Sequence, residues 1–181
     1  MLETNQRYTI WQDEIDGVDY LLVGKKNANL SEMIKAGIRV SPGFSITIAA
    51  NEKYTTDTGI KEKVGEFLET LGPANYETAK KASTYVMNLI EATQVPSEIE
   101  NDILSNYNRL CEMSNTDNVP VAVRSSGAIP MPGQMEAYFN VRGEKDLMEY
   151  VKRCWASAYN VEAVMYRTNK GMGFLFNMGV G

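Results

Sequence analysis

The stretch from Val121 to Val141 does most to limit what this chain can fold into. It opens on a β-branched run, Val121-Ala122-Val123-Arg124. A loop follows, Ser125-Ser126-Gly127-Ala128-Ile129-Pro130-Met131-Pro132-Gly133-Gln134-Met135-Glu136, and then a second apolar run, Ala137-Tyr138-Phe139-Asn140-Val141. Apolar runs of this kind, bounded by Ser, Gly and Pro, read as two strands joined by a loop. The first strand is expected to end at Arg124. An arginine at the mouth of a loop suits an anion, because its charge persists at any physiological pH and its planar fork matches phosphate oxygens two at a time. Small residues after it let backbone N–H groups turn toward the same anion. The competing reading of these residues is a surface hairpin loop with a solvated arginine.

Most of the remaining pattern is helical. In Gly24 to Gly37, Ala28, Leu30, Met33 and Ile34 recur at near-helical spacing, Asn27 or Asn29 can cap the start, and Gly37 can close the end. A glycine followed by Lys25 and Lys26 at a helix mouth suits phosphate, since orphan N–H groups and the helix dipole favour negative charge there. The competing reading is a solvated surface lysine. Trp11 and the Val18 to Val23 run predict an early strand or extended segment, and Phe44 to Ile48 alternates like a half-buried strand after the turn at Ser41-Pro42-Gly43.

One helix is expected from Ala49 to Leu71, through Ile60, Val64, Phe67 and Leu68, and Gly72-Pro73 breaks it. The next carries Tyr76, Ala79, Ala82, Val86, Leu89 and Ile90 and stops near Val95, because Pro96 disfavours helix at the residue before it. Pro96 opens a third, with Ile99, Ile103, Leu104, Tyr107, Leu110 and Cys111 facing inward. Arg142-Gly143-Glu144 reads as a turn, Asp146 to Ala158 as a helix, and Asn160 as the cap of a short helix holding Ala163, Tyr166 and Arg167. Gly173 to Gly181 reads as the start of a buried strand. A chain that stops inside an apolar run is expected to be cut from something longer or shielded by a partner. The helical stripes read as core, and a helical protein-interaction domain built on them is a third-ranked reading.

The 181 residues suit one domain, and a net charge of −5 argues against nucleic acid or an anionic membrane surface as the main partner. No apolar segment is long enough to span a bilayer and no signal-peptide pattern opens the chain. Cys111 and Cys154 sit in helical patterns and make no disulfide framework, so they read as reduced thiols in a cytoplasmic protein. Histidine is absent. That removes the commonest general base and metal ligand near neutral pH and excludes Ser–His and Cys–His nucleophile schemes within this chain. Chemistry here must use carboxylates, Lys, Arg and backbone dipoles, which points toward binding and electrostatic catalysis of phosphoryl transfer.

Four ordered elements carry a family resemblance. Val23-Gly24-Lys25-Lys26-Asn27-Ala28-Asn29-Leu30-Ser31-Glu32-Met33 resembles a GGKNASLGEM segment, and Gly37-Ile38-Arg39-Val40-Ser41-Pro42-Gly43-Phe44 a G-x-x-V-P-x-G-F turn. Val121-Ala122-Val123-Arg124-Ser125-Ser126 matches a VRSS element, and Gly133-Gln134-Met135-Glu136 with Asn140-Val141 is similar to GQQET followed by NV. Cys154-Trp155-Ala156-Ser157 and Tyr166-Arg167 match a later helix. Together they resemble the N-terminal nucleotide-binding domain of the phosphoenolpyruvate synthase and pyruvate phosphate dikinase family, which includes rifampin phosphotransferase and phenylphosphate synthase.

The resemblance implies an α+β fold of ATP-grasp type. Residues 1–181 would form the first lobe, a mixed or antiparallel sheet with several packed helices, and the second lobe would be absent. It implies that Lys26 and Arg124 act in catalysis and contact ATP phosphates, with Ser125, Met131, Gly133, Gln134 and Glu136 completing the nucleotide site as the Met131 to Glu136 loop folds over. ATP and Mg2+ are the implied cofactors. The magnesium carboxylates are expected outside this chain, so no metal ligand is assigned, with Glu136 the weak candidate. The implied partners are the missing lobe and a carrier histidine on another domain or subunit, which then phosphorylates pyruvate, a phenol or another acceptor. The mixed loop favours the phenylphosphate synthase type. Lys25 in place of a glycine, Ala137 in place of a threonine and Glu162 in place of an arginine depart from the family pattern. They motivate the alternative of a non-catalytic regulatory or interaction module that keeps the fold with weak or no nucleotide binding.

Overall fold

In the computed structural model, which describes residues 7–15, 20–73, 75–129 and 136–181, a five-stranded antiparallel sheet is joined at its middle by its shortest strand. The chain runs β1 (Thr9–Trp11), a 3-10 turn (Gln12–Glu14), α1 (Tyr20–Val23), α2 (Lys25–Lys35), β2 (Phe44–Ile46), α3 (Ile48–Asp57), α4 (Ile60–Glu69), α5 (Tyr76–Ala92) and α6 (Ser97–Met113). It continues through β3 (Val121–Ser126), β4 (Ala137–Val141), α7 (Gly143–Ser157), α8 (Val161–Asn169) and β5 (Gly179–Val180). The strand order is β1-β2-β5-β3-β4. The expected α+β class with an antiparallel sheet is what the structure has.

β5 links a β1–β2 pair to a β3–β4 pair: Val180 faces Ile46 on one side and Ser125 on the other, and Gly179 faces Ser126. Among the described strands β5 alone pairs with both β2 and β3, so the two pairs are joined through the last residues of the chain. Beneath it, α7 lies against β3, β4 and β5. Its buried Val151, Cys154 and Trp155 join Val123, Val141 and Val180 with the inner faces of α3, α5 and α6 in one core. Tyr54 stacks on Trp155 with ring centroids 5.0 Å apart, and its hydroxyl donates to the Ile90 carbonyl at 2.7 Å. Such a pair adds about 0.5–1.5 kcal/mol beyond the area it buries. α6 is tied to the sheet edge where Thr9 donates to Asp102 at 2.7 Å and the Trp11 indole to Asn106 at 2.5 Å.

Several boundaries differ from the sequence expectation. The Tyr20–Val23 part of the expected early strand is helical, and Val18 lies outside the described residues. The single helix over 49–71 is two, because Gly59 takes the left-handed conformation at φ 69° while the Thr58 and Gly59 amides bond back to Tyr54 and Thr56. The strand at Phe44 stops at Ile46, since Thr47 caps α3 by accepting from the Ala50 amide at 3.1 Å. β3 continues past Arg124 to Ser126, the expected turn at Gly143 is already the first residue of α7, and only Gly179–Val180 of the expected last strand pairs. No described helix is long and apolar enough to cross a membrane.

Gly179 has no room for a side chain: a Cβ there would lie 2.7 Å from the Val23 carbonyl oxygen and 2.9 Å from that of Ile46. Two backbone walls cannot step aside as a flexible side chain would. Gly179→Ala is therefore expected to destabilise the fold by about 1–3 kcal/mol, the usual cost of overpacking. Urea denaturation checks this, with a midpoint equal to the parent's counting against it.

Candidate functional site

The two cationic segments singled out in the sequence meet in the fold. α2 begins where β3 ends. The Lys25 amide donates to the Gly127 carbonyl at 3.0 Å, and the Asn27 amide donates to the Ser126 hydroxyl at 3.2 Å. Gly24, the residue before α2, has φ 80° and lies so close to β3 that a Cβ would overlap the Ser126 carbonyl. Only glycine tolerates both that conformation and that approach. Asn27 also donates from its side-chain amide to the Val23 carbonyl at 3.0 Å, which fixes the joint between α1 and α2.

Strand alternation then places Arg124. Residues two apart point to the same face of a sheet, so Arg124 shares with Ser126 the face on which α2 sits. Its main chain is held firmly, since the Arg124 amide donates to Gly181 at 2.6 Å and its carbonyl accepts from the Gly181 amide at 2.9 Å. The guanidinium is exposed and stacks over the Phe139 ring at 5.4 Å from its centroid. Lys26 is exposed in the first turn of α2, and Lys25 beside it lies over the Tyr20 ring at 5.7 Å. Among the described residues no hydrogen bond joins the Lys26 and Arg124 side chains, and the cleft that Arg124 lines with Leu30 and Phe44 does not include Lys26. What the fold brings together is their backbones, on one side of one sheet.

Ser125 is buried, and its hydroxyl donates to the Glu136 carbonyl at 3.0 Å, closing the base of the loop. Glu136 itself is exposed, with its amide donating to the Ser157 hydroxyl at 3.3 Å. Met131, Gly133 and Gln134 lie outside the described residues. Ser126 was not singled out in the sequence, yet its hydroxyl is what receives α2; its place one residue after Ser125 in the VRSS element was the available signal. The helix mouth also differs from an open anion site. The Lys25 and Asn27 amides are taken by β3, so of the first three amides only that of Lys26 meets no acceptor among the described residues. Any phosphate here is met chiefly by side chains.

Cys154 sits under this junction, its sulfur 3.7 Å from the Val123 carbonyl and 3.9 Å from that of Glu136. Burial pushes its thiol up to about 12; the Lys26 charge opposes that rise and the Glu136 charge adds to it. The thiol is therefore neutral at physiological pH and serves as core. Among the described residues, no three His, Cys, Asp or Glu side chains gather as a metal site would need.

Residues 20–181 match the family described as the pyruvate phosphate dikinase AMP/ATP-binding domain. The chain belongs to that family. A Methanothermobacter thermautotrophicus protein named probable phosphoenolpyruvate synthase is 38% identical over 167 residues, covering 89% of this chain and 24% of that protein. The phosphoenolpyruvate synthase of Aeropyrum pernix is 37% identical over 169 residues, 90% of this chain and 21% of its own. That of Helicobacter pylori is 33% identical over 179 residues, 93% of this chain and 22% of its own. The chain thus spans less than a quarter of the length of these relatives.

The Cys154 environment gives a direct test. An unfolded thiol ionises at about 8.5, whereas the folded one stays protonated to about 12. A group raised on folding contributes fully below its unfolded value and loses that contribution as pH climbs toward the folded one. Between pH 8 and 11 the parent should lose more stability in urea than Cys154→Ala does, and iodoacetamide at pH 8.5 should leave Cys154 unmodified until denaturant is added. Rapid alkylation of the folded chain would contradict this placement.

Proposed function

We propose that this chain is the first lobe of an ATP-grasp nucleotide-binding domain in a dikinase-type phosphotransferase. The observation that carries the reading is the joint between α2 and β3, which sets a lysine-rich helix start and Arg124 on one face of the sheet. In this reading ATP, when bound, supplies the phosphoryl group, and Lys26 and Arg124 hold its phosphate oxygens. Preorganised cations of this kind stabilise charge that builds on transferred oxygens, with no reorganisation at the moment of reaction. Ser125 and Glu136 anchor the base of the loop containing Met131, Gly133 and Gln134, which would fold over the nucleotide. The chain has no histidine, so the carrier that receives the phosphoryl group belongs to another domain or subunit. The same division puts the magnesium ligands and the acceptor, pyruvate or a phenol, on parts of the protein that this lobe does not contain.

A second reading, a fold-retaining module that regulates or docks without catalysis, is favoured by one observation. Two of the first three amides of α2 are already satisfied within the protein, and the substitutions at Lys25, Ala137 and Glu162 alter the surroundings of the site further.

Calorimetry with Mg-ATP separates the two readings. The chain, alone or mixed with a polypeptide carrying the remainder of the domain, should bind nucleotide under the first reading and in neither case under the second. In the assembled enzyme, Arg124→Ala and Lys26→Ala should each cost about 3 kcal/mol of transition-state stabilisation, the loss typical of one preorganised donor. Unchanged turnover in both variants would remove the proposal.

A further inference from the structure

Phe139 is the most exposed large hydrophobic side chain among the described residues, at 68%. The β3–β4 ladder explains how it comes to face outward. Val121 pairs with Val141 and Val123 with Tyr138, so Phe139 and Asn140 together stand opposite Ala122. Such a bulge adds one residue to one strand. Asn140 absorbs it in the left-handed conformation, φ 58°, which asparagine adopts more readily than most residues. Its Oδ1 accepts from Arg142 Nε at 3.1 Å. The extra residue lets Tyr138 and Val141, three apart, both reach the core. Phe139 stays on the outer face, two residues from Ala137, the ladder partner of Arg124. It is thus the diagonal neighbour of Arg124, a spacing that a ring and a long side chain can bridge. The guanidinium carbon lies 5.4 Å from the ring centroid.

Other cations of the chain are held differently. Arg7, Lys53, Lys61 and Arg153 each reach a carboxylate, at 3.3, 2.6, 3.4 and 2.6 Å. The Arg124 side chain makes no ion pair or hydrogen bond among the described residues, and its contact is the ring. Arg109 also meets a ring, but that ring is Trp11, which is 7% exposed and already donates to Asn106, so Arg109 covers buried surface. Phe139 belongs to neither apolar cluster. The difference matters chemically. A carboxylate would neutralise the guanidinium and occupy its in-plane N–H donors. A ring face attracts the same charge and leaves all five donors unspent.

We propose that Phe139 is a positioning residue for Arg124: its ring holds the guanidinium in place with charge and donors open to the oxygens of a nucleotide phosphate. This inference rests on the reading in which Arg124 binds that phosphate, and it adds the group that prepares the arginine to do so. A side chain already ordered by the ring loses less rotamer freedom when the anion arrives. Leucine at position 139 keeps apolar bulk but has no quadrupole, whereas tryptophan offers a stronger one. The two substitutions therefore separate the ring's electrostatic role from simple packing.

The test joins NMR of the Arg124 side chain to calorimetry with Mg-ATP, on the 181-residue chain alone and mixed with the remainder of the domain. In the parent, the Arg124 side-chain protons should be shifted upfield by the ring current, and Phe139→Leu should return them to ordinary values. Phe139→Leu should weaken Mg-ATP binding about two- to fivefold, the change that one exposed cation–ring contact supports, with the parent's melting temperature. Phe139→Trp should restore both the shift and the affinity. In an Arg124→Ala background, Phe139→Leu should change nothing further. This inference alone is overturned if the parent shows no ring-current shift, if Phe139→Leu binds as the parent does, or if it weakens binding equally without Arg124. A parent that binds no Mg-ATP, or an Arg124→Ala variant that binds it as tightly, overturns the underlying reading of the site and this inference with it.

Discussion

Three glycines let the start of α2 lie directly against the sheet, and the rest of the architecture follows from that approach. A Cβ at Gly24 would overlap Ser126, one at Gly179 would press on the Val23 and Ile46 carbonyls, and one at Gly181 would run into Asn27. With hydrogen in place of each, backbone meets backbone. The α2 amides find acceptors at the end of β3, β5 slots between two hairpin-like pairs, and Arg124 is held by Gly181 on the face where α2 sits. The tight joint thus links two segments almost a hundred residues apart, and it is made of main chain, which fixes position better than long side chains do.

Burial also divides the residues at that joint. Ser125, Ser126 and Asn27 are buried and spend their polar atoms on neighbouring backbone, while Lys26, Arg124 and Glu136 stay exposed. Cys154, pressed beneath them, remains a neutral packing group. Arg167 shows the same logic elsewhere. It matches a family position, yet it is fully buried, donating to the Ala158 carbonyl at 2.5 Å and the Phe174 carbonyl at 3.3 Å while stacked near Tyr159 and Phe176. It holds the segment leading to β5 rather than facing solvent.

The sequence by itself determined the helices and their inner stripes. Ile99, Ile103, Tyr107 and Cys111 are buried as their spacing requires, and Asn160 caps α8 as its position suggests. Local chemistry suffices for such features, since they depend on residues three or four apart. It also marked Arg124 and Lys26, because motif residues are legible without coordinates. Tertiary structure decided what local pattern cannot carry. Gly59 divides a helix that its apolar stripe leaves continuous, and Tyr20–Val23 is helical where β-branched and apolar residues suggest a strand. Ser126 became the receiver of α2 only when the fold brought a distant amide to it. The order of strands belongs to the same class, because pairing between residues 46, 125 and 180 reflects which surfaces bury together, and no short window of sequence contains that information.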